Sequence, residues 1–520
     1  MEIDFKEFSR EIHNHFQDIE DKDIKRLYEK AHQEVFNRIN QLAKFEHIDK
    51  DLIFQDARMM REINDSIRNL TISYIQFEQD QHQFADVYQN IFEFVEGEHL
   101  TDVFFEQSVT EGHPFHPMTK TKLGFEVCDV INYSPEFRRT VKVIPVLCKS
   151  DLVQDVKLNN TDVLFNFTQK VAHYCENNDI ELDDYKLLFI HDWQLNHFMM
   201  PNYINLINDQ HILPLHELAV EANPLLSFRT LDAPELNSII KTAVNVQATS
   251  AVRNVSPASI KNGLALSSAV EHIYRNNGYT NSYIQQDLAG GFFTADKENA
   301  NKCSYMLRGR IPQEPGSHNI VCASLITKSF ITDKPVVIEC IETIMQKQSL
   351  NFEEATSLFL TQYTNILLES TYRLMLEEGI SLEAHMQNST MVIKDGLPIA
   401  IYVRDFGGVR LFESDINIDD STGLHTNEFQ DLLSVFSHAV LYNHLFQLIR
   451  VLESHHFNAS TGYHIIREAI LSYHKSYTPE IDILSEPTFK IKSLLKMRIY
   501  AEGYDYQYTE INNPLYTEAK

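Results

Sequence analysis

SLEAHMQNSTMVIKDGLPIAIYVRDFGG, residues 381–408, carries the clearest architectural signal in the chain. Two apolar runs rich in β-branched residues flank Asp395-Gly396, and an Asp-Gly pair between such runs predicts a two-residue hairpin turn. Working outward, residues 351–378 place apolar side chains at helical spacing and stop at Gly379, where a left-handed cap belongs. Downstream, 428–452 and 491–500 return to the helical period. Residues 351–520 therefore read as helix, hairpin, then helices.

The texture differs on the N-terminal side. VKVIPVLCK (141–149), YKLLFIHDW (185–193), AVNVQATSAV (243–252), NIVCASLIT (319–327) and VVIECI (336–341) read as strands, with Asn276–Gly291 as loops between them. Residues 1–100 hold almost no Gly or Pro, and 23–39 and 53–77 read as amphipathic helices. The order predicts an α+β chain of three consecutive modules: a largely helical 1–195, an α/β 196–350 and a helix-rich 351–520.

Composition narrows the function classes. The chain has 520 residues, with 45 Lys+Arg against 73 Asp+Glu, a net charge of −28. A uniformly acidic surface repels phosphate backbones and anionic lipid, so neither nucleic acid nor membrane is an expected partner. Small anions remain open, because a few converging Arg and Lys can build a positive pocket inside a negative shell. The 6 cysteines are no closer together than 18 residues, which argues against zinc pairs and a disulfide scaffold and for a reduced, cytoplasmic setting. The N-terminal residues lack the basic-then-apolar pattern of a signal peptide. No stretch approaches the roughly 18 consecutive apolar residues of a membrane span.

Three clusters carry candidate chemistry. In EGHPFHPMTKTKLGF (111–125), two His-Pro pairs enforce extended backbone, and His113, His116, Lys120 and Lys122 would line one run of donors for phosphate or carboxylate. The same residues also fit a proline-rich surface loop with incidental histidines. In 225–259, Ser227, Arg229, Thr230, Lys241, Thr249 and Arg253 cluster around strand ends, where guanidinium forks match such anions. An ordinary solvated strand end would look similar. In the opening stretch, Glu383, His385, Gln387 and Asn388 follow a helix and Asp405 ends the second strand of the hairpin; a carboxylate after a strand with an Asn or Gln on a neighbouring segment is a usual way to hold Mg²⁺ beside a nucleotide. Asp405-Phe406-Gly407 spells the kinase triplet, but no glycine-rich loop or His-Arg-Asp segment accompanies it. No Walker A, His-Glu-x-x-His or Gly-x-Ser-x-Gly motif occurs.

Taken together and in this order, the clusters resemble the siderophore synthetases that act independently of nonribosomal peptide synthetases, the aerobactin-synthetase-like family. GHPFHPMTKTKLGF, SFRT (227–230), Thr249 with Arg253, LEAHMQN (382–388), RDFGG (404–408), KSLLKMR (492–498), NPL (513–515) and HDWQ (191–194) are similar to its motifs. The resemblance implies a cupped hand of thumb, fingers and palm, with the helix-rich palm at the C-terminus. It implies ATP and Mg²⁺ as cofactors, adenylation of a citrate-class carboxylate, and capture by an amine or hydroxylamine acceptor with release of AMP and pyrophosphate. By the same resemblance His113, His116, Lys120, Ser227, Arg229, Thr230, Lys241, Gln387 and Asn388 would bind ATP. Thr249, Arg253, His385, Lys492 and Arg498 would bind the carboxylate substrate, with Arg253, His385 and Lys241 catalytic. Asp405, Glu383 and Asn388 would serve the metal. Homodimers are common in the family. Gly407 stands where some relatives carry an acidic residue, and Asp192 replaces a family proline. A non-catalytic member of the fold, binding nucleotide or ferric siderophore in the same cleft, is the competing reading.

Overall fold

The computed structural model describes residues 5–112, 116–158, 163–249, 251–500 and 507–517. Its N-terminal part is helical for the reason the periodicity gives. Asp21–Phe45 buries Ile24, Leu27, Ala31, Val35, Ile39 and Leu42 on one stripe. That stripe packs on Ala57–Phe84, whose Asp56 cap accepts from the Arg58 and Met59 amides. The cap satisfies amides that have no partner within the helix.

The centre is a nine-stranded antiparallel sheet. Its order is Val153–Lys157, Asp287–Phe293, Ser304–Arg308, Ser238–Thr242, Thr230–Ala233, Val220–Pro224, Val141–Lys149 and Tyr185–His191, with Ile212–Pro214 also against Val141–Lys149. Strands from both sides of residue 195 enter this one sheet, so the boundary expected there falls inside it. Helix Pro257–Asn276 lies on the sheet against Asp287–Phe293. Gly290 permits that approach: a Cβ there would sit 2.7 Å from both Ile260 Cγ2 and the Tyr305 carbonyl oxygen.

A second sheet orders Ser282–Ile284, Leu397–Val403, Ser389–Lys394 and Ser317–Val321. It contains the expected hairpin, and Asp395 and Gly396 both take positive φ, 54° and 80°. Gly396 is required there, since a Cβ would meet the Cys340 carbonyl oxygen at 2.4 Å. Helices Val336–Gln348 and Phe352–Leu368 cover this sheet, and Ala459–His474 packs on the latter, in the largest apolar core. The sheet also joins strands from both sides of residue 350. The helix Phe429–Ser454 is long and apolar enough to cross a membrane by length and composition. However, 78% of its most apolar window is buried, so that surface is spent on the core.

Several local expectations are corrected. VVIECI is the first half of helix Val336–Gln348, because a continuous apolar run has no period to separate strand from buried helix. NIVCASLIT is strand only to Val321 and then turns into a short helix. AVNVQATSAV forms a hairpin, Val244–Ala248 with Ala251–Arg253, rather than one strand. Asn276–Gly291 contains strands Ser282–Ile284 and most of Asp287–Phe293. The helix expected over 491–500 begins at Leu494, after strand Thr488–Lys492. The long helix before Gly379 runs as expected but carries a π-helical stretch at Glu369–Arg373. All six cysteines are free thiols.

Gly290→Ala tests the helix-on-sheet contact. The added methyl meets backbone that cannot move independently, so stability should fall by about 1–3 kcal/mol. Equilibrium urea unfolding reads it; a variant as stable as the parent would refute the close approach.

Candidate functional site

The site forms where three central strands of the nine-stranded sheet face the end of the hairpin. Leu225 and Thr230 close a tight turn, with the Leu225 amide donating to the Thr230 carbonyl oxygen at 2.8 Å and the Thr230 amide to that of Ser227 at 2.6 Å. Thr230 is the register partner of Lys241, and Lys241 in turn of Met306. Arg308 lies two residues beyond Met306, so its side chain shares the face of Lys241. From the other side, Asp405 leaves strand Leu397–Val403 in the left-handed region at φ +67°. Lys241 Nζ donates to Asp405 Oδ2 at 2.7 Å and joins the two halves.

A cavity of about 230 Å³ opens here. Ser227, Arg229, Thr230, Lys241, Arg253, Glu383, His385, Gln387, Asn388 and Asp405 all line it, as do Arg308 and Arg404, which sequence reasoning missed. A neighbouring cavity of about 240 Å³ shares Ser227, Arg253, His385 and Gln387 and adds His116, Lys120 and Thr249. Lys492 sits behind this arrangement: its Nζ donates to Glu383 Oε1 at 3.0 Å, and it lines a separate void of about 40 Å³. Arg498 is not brought in. It pairs with buried Glu62 on the N-terminal helices, because strand and helix on either side of Ser493 send residues 492 and 498 apart. His113 lies outside the described residues.

The electrostatics are unusual for an acidic protein. Arg308 is paired with Asp287 at 2.7 Å, and Arg404 with Glu106. Arg229 and Arg253 have no carboxylate partner among the described residues. Arg229 donates to the Asn254 carbonyl oxygen and leaves its buried Nε without a hydrogen-bond partner. Arg253 donates to Thr249 Oγ1 at 2.7 Å. Burial, then mutual repulsion, pushes the Arg229 guanidinium down to about 10. Burial lowers Arg253 and Lys241 as well, the latter partly held up by Asp405. Burial alone would raise Asp405, but Lys241, Arg308 and Arg229 outweigh it and hold this carboxyl far below its ordinary range. Burial keeps His385 below its ordinary value and therefore neutral near pH 7. An uncompensated cluster of buried cations is costly unless an anion completes it.

The loop bearing Glu383, His385, Gln387 and Asn388 is held from behind. His444 Nδ1 contacts the Ala384 carbonyl oxygen at 2.8 Å, and Tyr363 contacts its Nε2 at 2.5 Å. Arg404 donates to the Gln387 carbonyl oxygen at 2.8 Å. Gly408 is needed beside this loop, since a Cβ would lie 2.0 Å from Glu383 Oε2. At Gly407 a Cβ meets nothing nearer than Asp405 Oδ1 at 3.7 Å.

Among the described residues no three His, Cys, Asp or Glu side chains form a ready metal cage. Magnesium beside a polyphosphate needs less, one or two protein oxygens with phosphate and water completing its shell. Asp405 and Asn388 fit that demand. The Asn388 amide nitrogen donates to the Glu383 carbonyl oxygen at 3.1 Å, which leaves its own oxygen for a cation. Glu383 is already committed to Lys492. Its carboxyl is held below its ordinary value against burial, chiefly by Lys492.

Comparison with known proteins finds two matched segments. Residues 101–327 match the family model described as IucA / IucC family, and residues 357–507 match one described as ferric iron reductase FhuF-like transporter. Staphyloferrin A synthase of Staphylococcus aureus is 27% identical over 80% of this chain and 73% of its own length. D-ornithine–citrate ligase of the same organism is 28% identical over 89% and 77%. Among solved structures, ATP-bound aerobactin synthetase IucA from Klebsiella pneumoniae superposes with a TM-score of 0.75 at 16% identity, covering 94% of this chain and 87% of its own. The petrobactin biosynthesis protein AsbB of Bacillus anthracis gives 0.72 at 20%, covering 88% and 79%. At these identities the superpositions speak for the fold.

The second cavity offers a test of the electrostatics. Lys120 Nζ donates to buried Glu136 at 2.8 Å, with Lys122 at 3.9 Å. Burial raises Glu136, but the two lysines outweigh it and hold it at about 2 against an ordinary 4.5. A carboxylate with a depressed folded pKa stabilises above the unfolded value, and that contribution is lost as pH falls through the folded one. Glu136→Gln should therefore be less stable than the parent at pH 7, by about 3–5 kcal/mol. The gap should close as pH falls from about 4.5 toward about 2. A pH-independent gap in urea unfolding would refute the pairing.

Proposed function

We infer that the chain is a member of the IucA / IucC family and an ATP-dependent ligase of siderophore biosynthesis. It adenylates a carboxylate of citrate or a citrate-derived acid and condenses the acyl group with an amine or hydroxylamine. The observation that carries this reading is the pair of half-buried guanidinium groups, Arg229 and Arg253, without carboxylate partners among the described residues and beside the Lys241–Asp405 pair. The names of the similar proteins, a synthase and a citrate ligase, support the substrate class. One structural neighbour is an ATP-bound aerobactin synthetase, and that supports the nucleotide.

The chemistry asks for what the cavity offers. A carboxylate oxygen attacks the α-phosphorus of ATP; the new P–O bond forms as the bond to the β-phosphate oxygen breaks, and pyrophosphate leaves with the electron pair. Two anions must first approach each other. Arg253, Lys241 and Arg229 offset that repulsion and stabilise the charge that builds on phosphorus and leaving group. Arg253 lines both cavities, which supports a role for it between phosphate and carboxylate. Thr249 fixes the guanidinium from its own strained position at φ +55°. His385, neutral, donates a hydrogen bond to the carboxylate without competing for its charge. Asp405 and Asn388 would hold magnesium, which when bound would supply charge neutralisation on the phosphate oxygens.

The second step needs no covalent enzyme intermediate. A neutral amine attacks the acyl carbon; the C–N bond forms, the acyl–oxygen bond to AMP breaks with its electrons on the phosphate, and the nitrogen sheds one proton. Placement provides much of the acceleration there. The competing reading, a non-catalytic binder of nucleotide or ferric siderophore, draws on the FhuF-like match and Gly407. The Lys241–Asp405 pair and the unpaired arginines weigh against it.

One assay decides. Enzyme, ATP, Mg²⁺ and citrate, with hydroxylamine as surrogate acceptor, should yield AMP, pyrophosphate and hydroxamate. Absence of turnover across a panel of carboxylates would sink the ligase reading, and ADP would signal phosphoryl transfer instead. Arg253→Ala should cut carboxylate-dependent pyrophosphate release by about 10²–10³. Near-normal release in that variant would refute its role.

A further inference from the structure

We propose that His444 is a positioning residue for the carboxylate site: its Nδ1–H holds the Ala384 carbonyl, and through that peptide it aims His385. That the aimed ring meets a carboxylate rests on the ligase reading. The lock itself stands on geometry.

Both members of the lock, His444 and Tyr363, are 0% exposed. His444 Nδ1 lies 2.8 Å from the Ala384 carbonyl oxygen, and Nε2 lies 2.5 Å from the Tyr363 hydroxyl. A carbonyl only accepts, so Nδ1 carries the proton. Burial keeps the ring neutral, so Nε2 is bare and the Tyr363 hydroxyl donates to it. The ring can neither turn nor change tautomer without leaving a buried polar atom unpaired, and such atoms are rare.

One peptide carries this constraint into the site. The Ala384 carbonyl and the His385 amide share a rigid plane. Fixing the oxygen therefore fixes the backbone that bears His385, which lines both cavities. The Ser389 hydroxyl also donates to that oxygen, at 3.2 Å, but it sits on the hairpin strand that follows the loop and moves with it. His444 ties the loop to the helices behind.

The supporting helix is itself irregular. Within Phe429–Ser454 the stretch Ser437–Leu445 is π-helical, a rare geometry that recurs at functional sites. From this same stretch His438 Nδ1 accepts from the Lys492 amide at 3.2 Å, and Lys492 Nζ donates to Glu383 Oε1 at 3.0 Å. One π-helical run thus holds both neighbours of Ala384, His385 through its peptide and Glu383 through Lys492.

Two substitutions separate aiming from packing. His444→Asn puts an amide nitrogen where Nδ1 stood, keeping the Ala384 contact and losing that of Tyr363. His444→Gln reaches the Nε2 position instead, keeping Tyr363 and losing Ala384. Each gives up one buried hydrogen bond, so a packing role would make them alike. In the full chain, hydrogen exchange over residues 382–389 should quicken about five- to tenfold in His444→Gln, the worth of one neutral hydrogen bond, and stay near parental in His444→Asn. The carboxylate KM for pyrophosphate release should rise at least about tenfold in His444→Gln alone, with the ATP KM unchanged in both. Matching exchange in the two variants would overturn the proposal, as would a rise of both KM values together. Exchange needs no turnover. A parent chain that releases no pyrophosphate, with variants that still show the exchange split, would sink the ligase reading and leave the lock in place.

Discussion

The Lys241 ammonium and the Asp405 carboxylate meet at 2.7 Å across 164 residues of chain. One end stands on the nine-stranded sheet and the other just past the hairpin. Neither group holds its charge in this position alone. Lys241 is pushed toward neutrality by burial and kept charged by Asp405; Asp405 would rise with burial and is kept ionised by Lys241, Arg308 and Arg229. Asp405 is 36% exposed in this pair, so solvent screens part of the cost of breaking it, but the largely covered Lys241 ammonium would be left without its partner. The pair thus fixes the distance between sheet and hairpin, and with it the width of the cleft.

Around that pair the backbone is shaped to keep the cleft open. Asp405 takes a left-handed conformation that aims its carboxyl back at the sheet. Gly408 clears room for the Glu383 carboxylate, which Lys492 anchors from behind. Behind the loop, neutral His444 bridges Tyr363 and Ala384, and burial lowers its pKa to about 4, which secures it as neutral. Rigid support of this kind is what phosphate chemistry demands, since its catalysis is mostly position and charge.

Much of this was legible in the sequence wherever a signal is local. The Asp395-Gly396 turn, the cap at Gly379 and the strand 141–149 depend on nearest neighbours and were read correctly. Motif spacing likewise brought Ser227, Arg229, Lys241, Arg253, His385 and Asp405 toward one place. What was not legible depends on long-range register. Arg308 belongs to no local motif; it joins the site because strand Ser304–Arg308 pairs with Ser238–Thr242. Arg404 matters through Glu106, nearly three hundred residues away. VVIECI misled because a helix buried on most of its sides loses its period. Arg498 misled because a strand-to-helix change at Ser493 turns it toward Glu62.

The net charge of −28 poses a last question: how a polyanion of the kind proposed would reach this site. Screening answers part of it. At physiological ionic strength, exposed charges are felt only to about 8–10 Å, so a distant acidic surface scarcely repels an approaching nucleotide. The cations of the cleft act differently, because buried groups are poorly screened and see each other through a lower dielectric. Arg229 and Arg253, short of carboxylates, carry an excess that strengthens as water leaves. The acidic composition is therefore not a background that the site overcomes. It is sorted in space, with carboxylates spread over the rest of the chain and the cations short of carboxylate partners gathered in one cleft.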